Sequence, residues 1–152
     1  AAGEGHLDCV RMLVESFPES VKIQDSYGCT VMNLAASKGH IHTVRFLLEQ
    51  CGVDVDECGS DGQTSLHLAA SSGGPGCIFL VQMLASIFGA NIEAVAKDGK
   101  TPLLRAASVG ALESVKFLVE MQHANVDVRD HHGWTALELA RSGKHGAVVE
   151  LL

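Results

Sequence analysis

The chain has 152 residues, 47% hydrophobic but only 5% aromatic, and its 18 acidic and 11 basic side chains give a formal charge of −7. That is ample apolar material for a core of closely stacked Ala, Leu and Val helices, while dispersed Lys/Arg without a positive stripe exclude nucleic acid as a partner. The longest apolar stretch, residues 77–88, is broken by Gln82 and Ser86 and is too short to span a bilayer, so no membrane role is expected.

Taken in order, helical spacing first shows at Val10, Leu13 and Val14, after Gly5-His6. Asp25-Ser26-Tyr27-Gly28-Cys29-Thr30 then punctuates the chain. A small apolar run follows at Leu34-Ala35-Ala36, a turn at Gly39-His40, a second apolar run at Val44, Leu47 and Leu48, and an extended segment at Val53-Asp54-Val55-Asp56. The succession then returns. Gly62-Gln63-Thr64, Gly99-Lys100-Thr101 and Gly133-Trp134-Thr135 repeat Gly28-Cys29-Thr30 at separations of 34, 37 and 34 residues. Behind them come Leu68-Ala69-Ala70, Ala106-Ala107 and Leu139-Ala140, and then Val81 and Leu84, Val115 with Leu118-Val119, and Val148 with Leu151-Leu152. The unit is hairpin, helix, turn, helix, and a period in the thirties predicts a stacked array.

Local chemistry explains the recurring residues. A Thr just before a helical run accepts from the free N–H groups of the first turn, worth about 0.5–2 kcal/mol per cap. Pro102 takes the first helical position, where a missing N–H costs nothing. The glycine before each Thr is expected to hold a positive φ in the hairpin turn, and the paired alanines let helix backbones approach closely.

Four such openings in register resemble the ankyrin repeat over essentially the whole chain. Asp25-Ser26-Tyr27-Gly28-Cys29-Thr30 and Asp130-His131-His132-Gly133-Trp134-Thr135 are similar to its Asp-x-x-Gly-x-Thr, and Thr101-Pro102-Leu103-Leu104 and Thr64-Ser65-Leu66-His67 to its Thr-Pro-Leu-His. Gly59 and Ala96 depart from the opening Asp, Val31 and Ala136 from the Pro, and Lys144 from the inter-helix Gly. The resemblance implies an all-α solenoid of helix-turn-helix units joined by β-hairpin-like fingers. As one domain over 1–152 it divides into a partial repeat 1–24, repeats 25–58, 59–95 and 96–129, and a partial repeat 130–152. Ala1-Ala2-Gly3-Glu4-Gly5-His6 matches the unit from the middle of its first helix, and the last residues are apolar, so further repeats or domains of a longer parent chain are expected. The surplus in the third unit, around Gly73-Gly74-Pro75-Gly76, falls in the turn between its two helices.

No constellation points to catalysis, a cofactor or a metal. Asp54-Val55-Asp56-Glu57-Cys58-Gly59 begins like a calcium loop but has Cys58 at the fifth place and Ser65 at the twelfth. His6, His40 and His145 share one repeat position and His67 another, as turn and cap residues would, and the glycine run lacks the Lys-Ser/Thr of a phosphate loop. Five cysteines, odd in number and scattered, favour reduced thiols and a cytoplasmic or nuclear location.

The family implies binding on a concave surface of finger tips and exposed first-helix faces. Carried over by position, it holds Ser26, Tyr27, Cys29 and Lys38, then Asp61 and Gln63, Lys97 and Lys100, and His131, His132 and Trp134. The sole Tyr and Trp lead, because large aromatics anchor interfaces. Asp54, Asp56, Glu57 and Asp61 put four acids around one finger, which suits a basic peptide or a basic face. The expected function is a non-catalytic protein-interaction module. The alternative is a substrate-recruiting or regulatory segment of a larger enzyme such as a ubiquitin ligase or kinase. Asp56, eight residues after Leu48, is also placed as a candidate for hydroxylation of the array itself.

Overall fold

The computed structural model describes residues 6–74 and 76–152. Residues 1–5, where the partial first repeat was expected to begin, and Pro75 of the insertion lie outside the described residues.

Four threonines each open an inner helix: α2 (Val31–Ser37), α4 (Ser65–Ser71), α6 (Pro102–Val109) and α8 (Ala136–Ser142). Thr30 Oγ1 accepts the Asn33 N–H at 3.2 Å while Asn33 Oδ1 accepts the Thr30 N–H at 3.1 Å. Thr135 and Glu138 form the same reciprocal box at 3.4 and 2.7 Å, and Thr101 accepts from Leu104 N–H at 3.3 Å with Pro102 at the first helical position. Two orphan donors of the helix end are satisfied in each box, which is why so short a helix holds its start. Thr64 forms a box of the same kind with His67, whose Nδ1 accepts the Thr64 N–H at 3.2 Å and meets the Thr64 hydroxyl at 2.9 Å.

The outer helices are α1 (Leu7–Ser16), α3 (Ile41–Gln50), α5 (Cys77–Gln82), α7 (Leu112–Lys116) and α9 (Gly146–Leu151), and a 3-10 turn over Pro18–Lys22 follows α1. Where one plain second helix was expected, α5 and α7 widen into π turns over Met83–Ile87 and Phe117–Met121, with Phe88 N–H reaching Met83 O and Gln122 N–H reaching Phe117 O, each at 3.2 Å. Left-handed residues follow at Gly89 and His123, and the N–H groups of Ala90 and Ala124 then bond back to Leu84 and Leu118 at 2.9 Å. The wide turn thus closes carbonyls that an abrupt helix end would leave open.

Inner helices stack on one another, α2 on α4, α4 on α6 and α6 on α8, and each outer helix from α3 onward lies on the inner helix of its own unit. Ala35, Ala36, Ala69, Ala70, Ala106 and Ala107 are wholly buried, so the backbones approach closely; Leu47, Leu84 and Leu118 fill the layer behind. Lys144 sits in the inter-helix turn with φ 61°, the left-handed state that Gly39 and Gly110 hold at the same place in their units. The insertion packs back on the second unit: Ser72 Oγ donates to Ser37 O at 2.8 Å, and Gly76 lies so near Gly39 O that a Cβ there would be 2.5 Å from it.

Candidate partner-binding surface

The fingers are tight turns. Among the described residues there is no sheet, only isolated antiparallel bridges between Gln24 and Thr30 and between Cys58 and Thr64. Asp25 Oδ1 accepts the N–H groups of Tyr27 and Cys29, both at 2.9 Å, and Asp130 Oδ1 accepts those of His132 and Trp134 at 2.9 and 3.0 Å. Gly59 and Ala96 cannot do this. In their fingers the acid stands two places later, Asp61 accepting from Gln63 N–H at 2.9 Å and Asp98 from Lys100 N–H at 3.2 Å. Gly28, Gly62, Gly99 and Gly133 hold φ of 76° to 82°, as the hairpin expectation required. Neighbouring fingers are joined by backbone bonds from Ser60 N–H to Gly28 O, Lys97 N–H to Asp61 O and His131 N–H to Asp98 O, at 2.9, 2.9 and 3.2 Å. The row is therefore a rigid edge, which lowers the entropy cost of presenting side chains to a partner.

On that edge Tyr27 is 84% exposed and Trp134 40% exposed. Ser26, Asp61, Lys97, His131 and His132 are also exposed, as is Lys38 at the end of α2, while Cys29, Gln63 and Lys100 are half-buried. Trp134 lines an open depression with His132, Glu138, Arg141 and Ser142. Arg141 stands where the other inner helices carry their second alanine, and it gives that depression a cation.

The centre of the surface is occupied by a charge network. Arg105 Nη2 pairs with Asp98 Oδ2 at 3.0 Å, and Lys100 Nζ lies 3.6 Å from Asp98 Oδ2 and 4.0 Å from the buried Asp130 Oδ2. Burial works to raise the Asp130 carboxyl, but the N–H groups of Trp134 and His132 and the Lys100 charge hold it below the ordinary range. Asp61 is also held low: burial opposes ionisation, and the Gln63 N–H and amide, with Arg105, outweigh it. The two ion pairs commit Lys100 within the fold, while Arg105 Nε and Asp130 Oδ2 are buried without a hydrogen-bond partner among the described residues.

A family model described as ankyrin repeats (3 copies) matches residues 1–96 and 76–152. The chain belongs to the ankyrin repeat family. No curated protein matches it. Ankyrin repeats generally serve as protein–protein interaction modules and are typically non-catalytic. Among the described residues no helix is long and apolar enough to cross a membrane, and no group of three or more His, Cys, Asp or Glu is gathered to hold a metal.

The ankyrin register alone did not expose three features. Arg105 takes the helix position that is Leu34, Leu68 and Leu139 in the other units; a charge in an apolar column was the available signal for the network. The four acids near the second finger divide: Asp54 accepts from Asp56 N–H at 3.0 Å and Asp56 from Asn91 N–H at 2.9 Å in the loop between units, and Glu57 is half-buried within the charge of Asp54, leaving Asp61 on the finger. Glu93 repeats that clasp on Asn125 N–H at 2.8 Å. An apolar cleft beside the first finger is the third feature, and its walls come from separate elements that no single motif joins.

Proposed function

We propose that the chain is a non-catalytic interaction module that receives a partner peptide or domain on its finger row and the adjoining inner-helix faces. The observation that carries this reading is the exposure of the sole Tyr and sole Trp on one braced edge, since a large ring left in water by a rigid turn is an anchor in want of a pocket. Tyr27 and Trp134 are the anchors. Ser26, Cys29, Lys38, Asp61, Gln63, Lys97, His131 and His132 make the surround, and Lys100 contributes through the network. The unpaired cysteines support a reducing compartment, cytoplasm or nucleus.

The test is photo-crosslinking in cells. p-Benzoylphenylalanine in place of Tyr27 or Trp134 should trap protein adducts, whereas the same group replacing Phe79, 61% exposed on outer helix α5, should not. Adducts confined to the Phe79 position would overturn the reading.

A further inference from the structure

Neighbouring fingers are tied across each joint by the backbone bond described above and, at the first two joints, by a side chain from the third position of the inner helix. Asn33 Nδ2 donates to Gln63 O at 3.5 Å, and His67 Nε2 lies 3.0 Å from Lys100 O. At the third joint, between the fingers of Gly99 and Gly133, the same helix position is Leu104, a buried aliphatic side chain with no hydrogen to donate to Trp134 O. The backbone bond of that joint, from His131 N–H to Asp98 O, is 3.2 Å long, against 2.9 Å for those from Ser60 and Lys97.

A charge pair stands where the side-chain tie is missing. Lys100 Nζ reaches across this joint towards Asp130 Oδ2, at the base of the last finger, and stops at 4.0 Å, too far for a hydrogen bond. Asp130 Oδ2 is buried and has no hydrogen-bond partner among the described residues. A buried carboxylate oxygen left unbonded costs free energy that water removes once the finger lifts, so the closed position is held less firmly here than at the other joints. Asp98, Lys100, Leu104 and Asp130 all lie within the described chain, so both sides of the joint are in view.

We infer that this joint is a charge latch and that the finger carrying Trp134 is the adjustable one in an otherwise tied row. Lys100 holds the finger through Asp130 while it is closed; when it lifts, water reaches Oδ2 and the latch lets go. The helices behind it stay packed, α6 on α8, with Ala106, Ala107 and Ala140 wholly buried. Trp134 is thereby the ring that can be re-aimed to meet a partner. Tyr27 stands on a finger tied to its neighbour by Ser60 twice over, through its N–H to Gly28 O and through its Oγ to Tyr27 O at 3.2 Å.

Native-state amide exchange followed by NMR tests the latch, because Ser60, Lys97 and His131 donate equivalent bonds at the three joints. With each rate corrected for its unstructured value, the His131 N–H should be about tenfold less protected than that of Lys97. It should also be less protected than the Leu139 N–H inside α8, which bonds Thr135 O, since the finger lifts without its helix. Lys100→Met keeps the stem and removes the charge; it should lower protection at His131 by about another threefold and leave Ser60 unchanged. Leu104→His, which sets beside Thr101 the arrangement that His67 makes beside Thr64, should raise His131 to the level of Lys97. Melting curves check that both variants are folded. A wild-type His131 as well protected as Lys97 would overturn the latch. So would equal protection at His131 and Leu139, which means that the last unit frays whole, or an unchanged His131 in folded Lys100→Met. Should Leu104→His not fold, the wild-type comparison and Lys100→Met decide the matter.

Discussion

His67 performs two tasks with one neutral ring. Its Nδ1 accepts from the Thr64 N–H at 3.2 Å and meets the Thr64 hydroxyl at 2.9 Å, which leaves Nε2–H to donate to Lys100 O at 3.0 Å in the next unit. Protonation would destroy the acceptor. Burial, the largest influence, depresses the pKa of His67 below 6.5, with Arg105 adding to it against the pull of the Lys100 carbonyl. Because the folded pKa lies below the unfolded one, the unfolded chain takes up the proton first. This contribution to stability is therefore complete above about 6.5 and is lost as pH falls through that value towards the folded pKa. Asn33 does both tasks without titrating, capping Thr30 and donating to Gln63 O at 3.5 Å. His67→Asn should thus flatten the fall of the urea midpoint between about pH 7 and 5, while His67→Leu, which loses both bonds, should cost about 1–3 kcal/mol. An Asn variant with the wild-type pH profile would place the titration elsewhere. Lys144 offers a second single-residue test: its φ of 61° strains a side chain, so Lys144→Gly should raise stability by roughly 0.5–1 kcal/mol in denaturant titration, and a loss would show that the lysine stem contributes packing.

At the scale of the element, a finger is a turn held by one aspartate and one left-handed glycine. Gly99 shows how little room it has, for a Cβ there would lie 2.6 Å from the His131 backbone nitrogen, in addition to a φ of 81°. Gly99→Ala should destabilise the protein by about 1–3 kcal/mol in thermal or urea unfolding, and a neutral result would mean that the finger can shift without loss. This element also shows what sequence can carry. Gly-x-Thr fixes a turn and a cap within six residues, so helices, stacking order and even the side of each finger tip followed from register. The substitutes Asp61 and Asp98 did not, because an acid moved by two places looks like ordinary surface charge until the N–H it accepts from is located. The π turns were hidden for a related reason: their carbonyls are closed by Ala90 and Ala124 beyond the helix, and periodicity reads only the helix. The cleft was least legible of all, since its walls from α1, the 3-10 turn and α2 meet only in three dimensions.

For the molecule as a whole, stability is set by neighbours. Among the described residues every substantial helix contact falls within a unit or between adjacent ones, so these units behave as a coupled row in which the middle ones pack on both sides and α1 and α9 on one. Burial follows that rule. The helices α4 and α6 each bury five residues, while α1 and α9 bury Val10 and Val148 alone. Native-state hydrogen exchange should therefore rank α4 and α6 as slowest and α1 and α9 as fastest, with the ends opening without the centre. Truncating the buried Leu103 of α6 leaves a cavity where two interfaces meet and should cost about 2–5 kcal/mol. Because α6 couples both halves, Leu103→Ala should speed exchange on α4 and α8 together, whereas the same truncation at Val148 of α9 should loosen the last unit and leave α4 unchanged. Equal protection along all the helices, or a Leu103 effect confined to α6, would show that the array opens as one block or as independent pieces, and the nearest-neighbour account would fail.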